Sequence, residues 1–250
     1  MQYAPMGSLR KNLHEIAQMK WEKKLELISY IALELHKIHS NNIIHCDLHS
    51  GNIFQNDLYN AYIGDLGFAK SINKILDKES KGIYGALPYI APEVLQGKSF
   101  TKASDIYSFG MIMWEISSGY LVFSDYKDND ISFATEICLN ELRPKILKGT
   151  AKCFEELLKQ CWDKDPEKRP SCLEIYEKVL KWKNTTEHVD EFLKSDNEIM
   201  IKINESNNME DSTIHSSKFN KFISYNNQQP FGYLAANKIN SNYIINFEDY

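Results

Sequence analysis

The stretch His45-Cys46-Asp47-Leu48-His49-Ser50-Gly51-Asn52, followed shortly by Asp65-Leu66-Gly67, decides how this chain is read. An aspartate, an asparagine five positions later and a second aspartate form one constellation. It supplies a carboxylate able to take a hydroxyl proton and two oxygen ligands suited to magnesium, a hard cation that retains water and phosphate oxygens in its shell. Asp47 alone would read as a turn former or a helix cap. The ordered set gives it chemical meaning.

The flanking sequence predicts a rigid frame for that set. Leu25, Ile28, Ala32 and Leu35 recur at helical spacing between Lys20 and Ser40, with Ile31 and Ile38 widening the stripe, and Asn41-Asn42 ends the helix. Ile53-Phe54-Gln55, the turn residues Asn56-Asp57 and Ala61-Tyr62-Ile63 read as a short hairpin. Asp47, Asn52 and Asp65 then fall on loops at the ends of rigid elements. Ser104 to Ser118 is apolar almost all round, which predicts a buried helix capped by Gly119. Ser171 with Glu174 is a capping box opening a helix through Leu173, Ile175, Val179 and Leu180. Two further helices are expected near Ser132–Asn140 and Ala151–Trp162.

The layout resembles the catalytic loop and metal motif of eukaryotic protein kinases, H-R-D-x-x-x-x-N then D-F-G. Ala91-Pro92-Glu93 resembles the motif closing a kinase activation segment. Asp105 to Gly110 resembles the start of the central helix, and Cys161-Trp162-Asp163 to Arg169-Pro170-Ser171 the late C-W-x(6)-R-P segment. The resemblance, closest to the tyrosine-kinase-like group of Ser/Thr kinases, implies a mainly α fold. That fold is the kinase C-terminal lobe with a short β-hairpin at the catalytic site.

The implied activity is transfer of the ATP γ-phosphate to a protein hydroxyl, with ATP and Mg²⁺ as cofactors. Asp47 takes the catalytic position, Asn52 and Asp65 the metal positions. Gln2 to Leu9 resembles the adenine-accepting hinge, which implies backbone contacts near Ala4 and an apolar floor from Phe54. His45, Glu93, Asp105 and Arg169 take structural positions, with Glu93 and Arg169 paired inside the lobe. Ser71, Ser80 and Tyr84 lie in the activation segment, where each reads as a solvated loop hydroxyl rather than as a phosphorylation site.

Several positions depart from the family. Cys46 stands where arginine usually grips an activation-loop phosphate, and Leu66 replaces a phenylalanine plug and is expected to keep its packing. His49 and Gly51 occupy positions where kinases carry a cation, and a histidine is mostly neutral at pH 7. Ala86 replaces a frequent threonine. The 250 residues contain no G-x-G-x-x-G loop, no V-A-I-K lysine and no partner-glutamate helix. The catalytic stretch begins about 45 residues from Met1, whereas an N-terminal lobe needs on the order of 80–100 residues. The expectation is a hinge and large lobe over residues 1–183 with the small lobe missing, an exposed apolar hinge face, and no transfer activity unless a small lobe is supplied. The alternative is a non-catalytic, pseudokinase-like binding or scaffold module.

Composition sets the remaining bounds. Hydrophobic residues make up 43% and charged residues 25%, ordinary for a globular protein. A net charge of −5 argues against nucleic acid as the main partner, and the protein substrate is what the kinase resemblance implies. Five scattered cysteines without a CxxC pair, and no signal sequence, predict reduced thiols and a cytoplasmic protein. No apolar run reaches the roughly 18–20 residues of a membrane span. His36 and His39 share a helix face, but no further ligand follows at zinc-like spacing. From 184 to 250 the chain turns rich in Asn, Ser and Lys, which predicts a polar disordered tail. Tyr243 to Phe247 reads as an apolar patch within that tail rather than as a docking strand.

Overall fold

The computed structural model describes residues 4–72, 85–124, 126 and 130–208, with side chains to 198. Eight α-helices and four short strands make a mainly helical lobe in these regions: α1 (Leu9–Ala17), α2 (Trp21–Ser40), β1 (Ile43–Ile44), β2 (Ile53–Gln55), β3 (Ala61–Ile63), β4 (Lys70–Ser71), α3 (Pro92–Leu95), α4 (Lys102–Ser118), α5 (Asp130–Leu139), α6 (Lys152–Cys161), α7 (Cys172–Asn184) and α8 (Val189–Asn208).

Helix α4 is the centre. Ile106, Tyr107, Phe109, Met111, Ile112, Met113 and Ile116 are all buried, so this helix has no solvated stripe. Thr101 and Ser104 exchange a capping box at its start, and Gly119 at φ 77° ends it in the left-handed conformation. A Cβ at Gly110 would stand 2.9 Å from the Cβ of Cys161, so glycine lets α6 approach α4. Helices α1, α2 and α7 surround this core.

Helix α7 opens on the Ser171–Glu174 capping box, with both reciprocal bonds made. Its buried face is Cys172, Ile175, Val179 and Trp182, while Leu173 is exposed. Strands β2 and β3 pair antiparallel with Phe54 opposite Tyr62, and β1 pairs with β4, Ile43 opposite Ser71. The loop of the β2–β3 hairpin closes on Asp57, whose Oδ1 accepts the N–H groups of Tyr59 and Asn60.

Ordered structure extends past the expected boundary at 183. Helix α8 covers Val189–Asn208 where the composition predicts a disordered tail. Its apolar residues are sparse, but Phe192 lies 5.4 Å from the Trp21 ring and 5.8 Å from the Trp182 ring and is buried. Aromatic burial at one point offsets ordering entropy that composition alone would leave unbalanced. Ser80, Tyr84 and the Tyr243–Phe247 segment lie outside the described residues. Among the described residues no helix is long and apolar enough to cross a membrane.

Candidate active site

The loop from His45 to Asn52 is held from beneath by Asp105. One carboxylate oxygen accepts the Cys46 N–H at 3.0 Å, and the other accepts the His45 N–H at 2.8 Å and meets His39 Nε2 at 2.8 Å. Cys46 sits at φ 67°, an uncommon conformation for a residue with a side chain. The Asp105 carboxylate spans that kink and fixes it. His39 also meets the Cys172 thiol through Nδ1 at 3.1 Å, so its ring is committed to the core, and His36 points instead to Ser40.

His45 is fully buried. Its Nδ1 accepts the Asp47 N–H at 3.3 Å, which puts the ring proton on Nε2, donated to the Gly64 carbonyl at 3.0 Å. The histidine ties the Asp47 loop to the approach of Asp65. Asn52 donates its side-chain N–H to the Asp47 carbonyl at 2.9 Å, leaving the amide oxygen as its ligand-capable atom. Asp65 sits in the left-handed conformation at φ 57°, exposed, and its Oδ1 accepts the Gly67 N–H at 3.3 Å.

Asp47 is buried, and among the described residues its Oδ1 has no hydrogen-bond partner. Burial pushes its carboxyl above the usual carboxylate range; His45 and the Ala86 backbone oppose the rise, and the negative charge of Asp65 adds to it. Gly85, at φ 120°, allows the end of the activation segment to close on this carboxylate: a Cβ there would sit 3.2 Å from Oδ1. Sequence reading passed over Gly85, although a glycine just before a Pro-Tyr turn is the available signal.

His49 is buried beside Asp47, its Nε2 3.7 Å from Oδ1. Its Nδ1 accepts the Gly51 N–H at 3.0 Å, so the neutral ring carries its proton on Nε2. Burial, with Arg10 and the His45 ring adding to it, pushes its pKa down to about 3. Cys46 is buried, and its thiol is pushed up to about 12 by that burial, so a neutral side chain fills the position of the usual arginine.

Segment 6–8 runs against β2 like a further strand. Met6 N–H donates to the Gln55 carbonyl, Gln55 N–H to the Gly7 carbonyl, and Ser8 pairs with Phe54. Asn12 secures this corner by donating to Met6, Ser8 and Gln55. Ala4 is half-buried at the entrance, its carbonyl accepting the Gly7 N–H at 3.0 Å. Phe54 is half-buried against Tyr62, and a Cβ on Gly64 would collide with its ring at 2.7 Å. Leu66 differs from expectation. It is 50% exposed, because the turn at Leu66–Phe68 projects outward and no described element covers it. Phe68 is exposed beside it.

Glu93 and Arg169 form a buried bidentate pair, both bonds 2.7 Å. Arg169 also donates to the carbonyls of Ala103 and Asp163, and it stacks 5.3 Å over Tyr107. Tyr89 donates to Glu115 at 2.5 Å and meets Ser50 at 3.3 Å, joining the segment before Glu93 to both α4 and the Asp47 loop.

Comparison with known proteins gives the arrangement its family. The chain is 31% identical over 187 residues to the dual specificity protein kinase shkA of Dictyostelium discoideum, covering 67% of this chain and 35% of that protein. It is 33% identical over 175 residues to shkE of the same organism, covering 68% and 24%. The serine/threonine/tyrosine-protein kinase HT1 of Arabidopsis thaliana is 29% identical over 190 residues, covering 72% and 47%. The chain thus spans about a quarter to a half of the length of these relatives. Residues 1–179 match the protein tyrosine and serine/threonine kinase family, and the chain belongs to that family.

Proposed function

We propose that this chain supplies the catalytic half of a cytoplasmic protein kinase that transfers the ATP γ-phosphate to Ser/Thr hydroxyls of a protein substrate, using Mg²⁺. Asp47 would orient and deprotonate the hydroxyl, Asn52 and Asp65 would hold the metal, and the backbone near Ala4 with the Phe54 ring would receive adenine. The observation that carries this reading is the buried, unpartnered Oδ1 of Asp47 at the centre of a loop clamped by Asp105 and Asn52. An orphaned buried acceptor costs stability and is kept where a reacting group will meet it. When bound, Mg²⁺ would neutralise charge on the phosphates. The protein's own contribution is to fix the carboxylate, the amide oxygen and the exposed Asp65 relative to one another.

Phosphoryl transfer depends on positioning, and the glycine-rich loop and strand lysine that position ATP are not among these 250 residues. The purified chain with Mg-ATP and a generic protein substrate is therefore expected to transfer little or no phosphate. Fused behind the small lobe of a Dictyostelium relative, it should gain transfer to Ser/Thr that Asp47→Asn abolishes. A fusion that binds ATP yet transfers nothing would favour the scaffold reading. That reading draws on the neutral His49 at a position usually cationic and on the exposed Leu66.

A further inference from the structure

Helices α2 and α6 begin without a cap of their own. Lys20 before α2 and Ala151 before α6 make no side-chain capping bond. Helix α8 supplies both from a distance. Asp196 Oδ1 accepts the Trp21 N–H at 2.8 Å, and Glu191 Oε2 accepts the Cys153 N–H at 2.9 Å. Around the second of these contacts a different chemistry gathers. The other oxygen of Glu191, Oε1, meets His188 Nδ1 at 3.0 Å, and the ligand atoms of Cys153, His188 and Glu191 all lie within 4.8 Å of one another.

We propose that Cys153, His188 and Glu191 form a binding site for a zinc-class divalent transition metal that fastens α8 to the N-terminus of α6. Thiolate, imidazole and carboxylate are the donors such ions take, with bonds of about 2.0–2.3 Å. A tetrahedral ion with those bonds separates its ligands by roughly 3.2–3.7 Å, so the wider spacings must contract while the 3.0 Å contact of His188 Nδ1 with Glu191 Oε1 opens slightly. The roles divide cleanly. Glu191 binds through Oε1 while Oε2 keeps its bond to the Cys153 N–H, and Cys153 gives up its thiol proton to solvent. His188 binds through Nδ1 and moves its ring proton to Nε2, which lies 3.8 Å from Glu187 Oε1. That distance is longer than a hydrogen bond, and a small closing movement of Glu187 on metal binding would put a carboxylate behind the imidazole, which fixes the tautomer and strengthens the ligand. One thiolate and one carboxylate balance the two positive charges, and water takes the fourth position. The site joins Cys153 of α6 to Glu191 of α8 and to His188 in the turn that precedes it, and it is independent of the phosphotransfer assignment.

The test uses the full 250-residue chain, reduced and freed of metal. Titration with Co²⁺ should produce a thiolate-to-cobalt charge-transfer band saturating near one equivalent, and Zn²⁺ should displace it and raise the melting temperature. Cys153→Ser should abolish the band. His188→Ala, at a partly exposed position in the turn before α8, should weaken binding about 100-fold. Glu187→Gln should weaken it about tenfold. Cys138→Ser, on the half-buried cysteine of α5, should leave binding unchanged. The proposal is overturned if the chain shows no cobalt band, if His188→Ala binds as tightly as the parent, or if Cys138→Ser removes the signal.

Discussion

Nε2 of His49 lies 3.7 Å from Oδ1 of Asp47, while its Nδ1 is occupied by the N–H of Gly51. The distance exceeds a hydrogen bond, so a neutral N–H stands beside the carboxylate without satisfying it. The ring's position depends on the absence of a side chain two residues later. A Cβ on Gly51 would sit 2.8 Å from both Cε1 and Nδ1 of His49. Gly51→Ala is therefore expected to displace the ring and cost about 1–3 kcal/mol in denaturant unfolding. In a His49→Ala background most of that cost should vanish, because no ring remains to be displaced. Additive costs in the double-mutant cycle would show that the strain lies elsewhere.

Asp47 should be a place where chemistry is held at the expense of stability. Its carboxyl is raised by burial, with one oxygen unpartnered. A raised folded-state pKa means that the unfolded chain ionises first as pH climbs, so the folded state loses stability from the ordinary carboxylate range up through the raised value. Above it the penalty is complete. Asp47→Asn removes the charge and should stabilise the protein at pH 7.5 by about 1–2 kcal/mol. The gain should shrink as pH falls toward the usual carboxylate range. Thermal melts of parent and variant across that span test it; a constant difference, or a loss at pH 7.5, would refute the account.

The Glu93–Arg169 pair ties the close of the activation segment to the turn before α7, across a separation of 76 positions in the chain. Arg169→Ala leaves a buried carboxylate alone and should cost on the order of 3–5 kcal/mol. Arg169→Lys keeps the charge but not the two parallel bonds or the donation to Asp163, and should recover only part of the loss. Urea midpoints at constant slope give both values, and a Lys variant as stable as the parent would show that charge alone is enough.

Much of this fold could be read locally, because its signals are local. The Ser171–Glu174 box, the Gly119 cap and the all-round burial of α4 each follow from residues within a few positions of one another. The order of Asp47, Asn52 and Asp65 likewise named the family before any geometry. The clamp of Asp105 on Cys46, 59 residues away, depends on a chain fold that spacing does not encode. The neutrality of His49 followed from an ordinary imidazole pKa, yet its cause is burial beside Arg10. Leu66 was expected to be a packed plug, and the element that would cover it is not among the described residues. Helix α8 escaped notice because its sequence is polar and its value lies in what it does for other helices.

That role gives the last prediction. Asp196 accepts the Trp21 N–H at the start of α2, and Phe192 fills the space between Trp21 and Trp182. Lys24, one turn into α2, is buried, and its amine is lowered to about 8 by burial, an effect the Asp196 charge opposes. Asp196→Ala thus removes a cap worth about 1 kcal/mol and a charge that supports Lys24. Phe192→Ala should cost more, about 3 kcal/mol, because it opens the aromatic cluster. Both variants should raise amide exchange in α8 and in the first turn of α2 while leaving α4 protected. If α8 were only a loosely attached tail, neither substitution would move the urea midpoint, and exchange in α2 would match the parent.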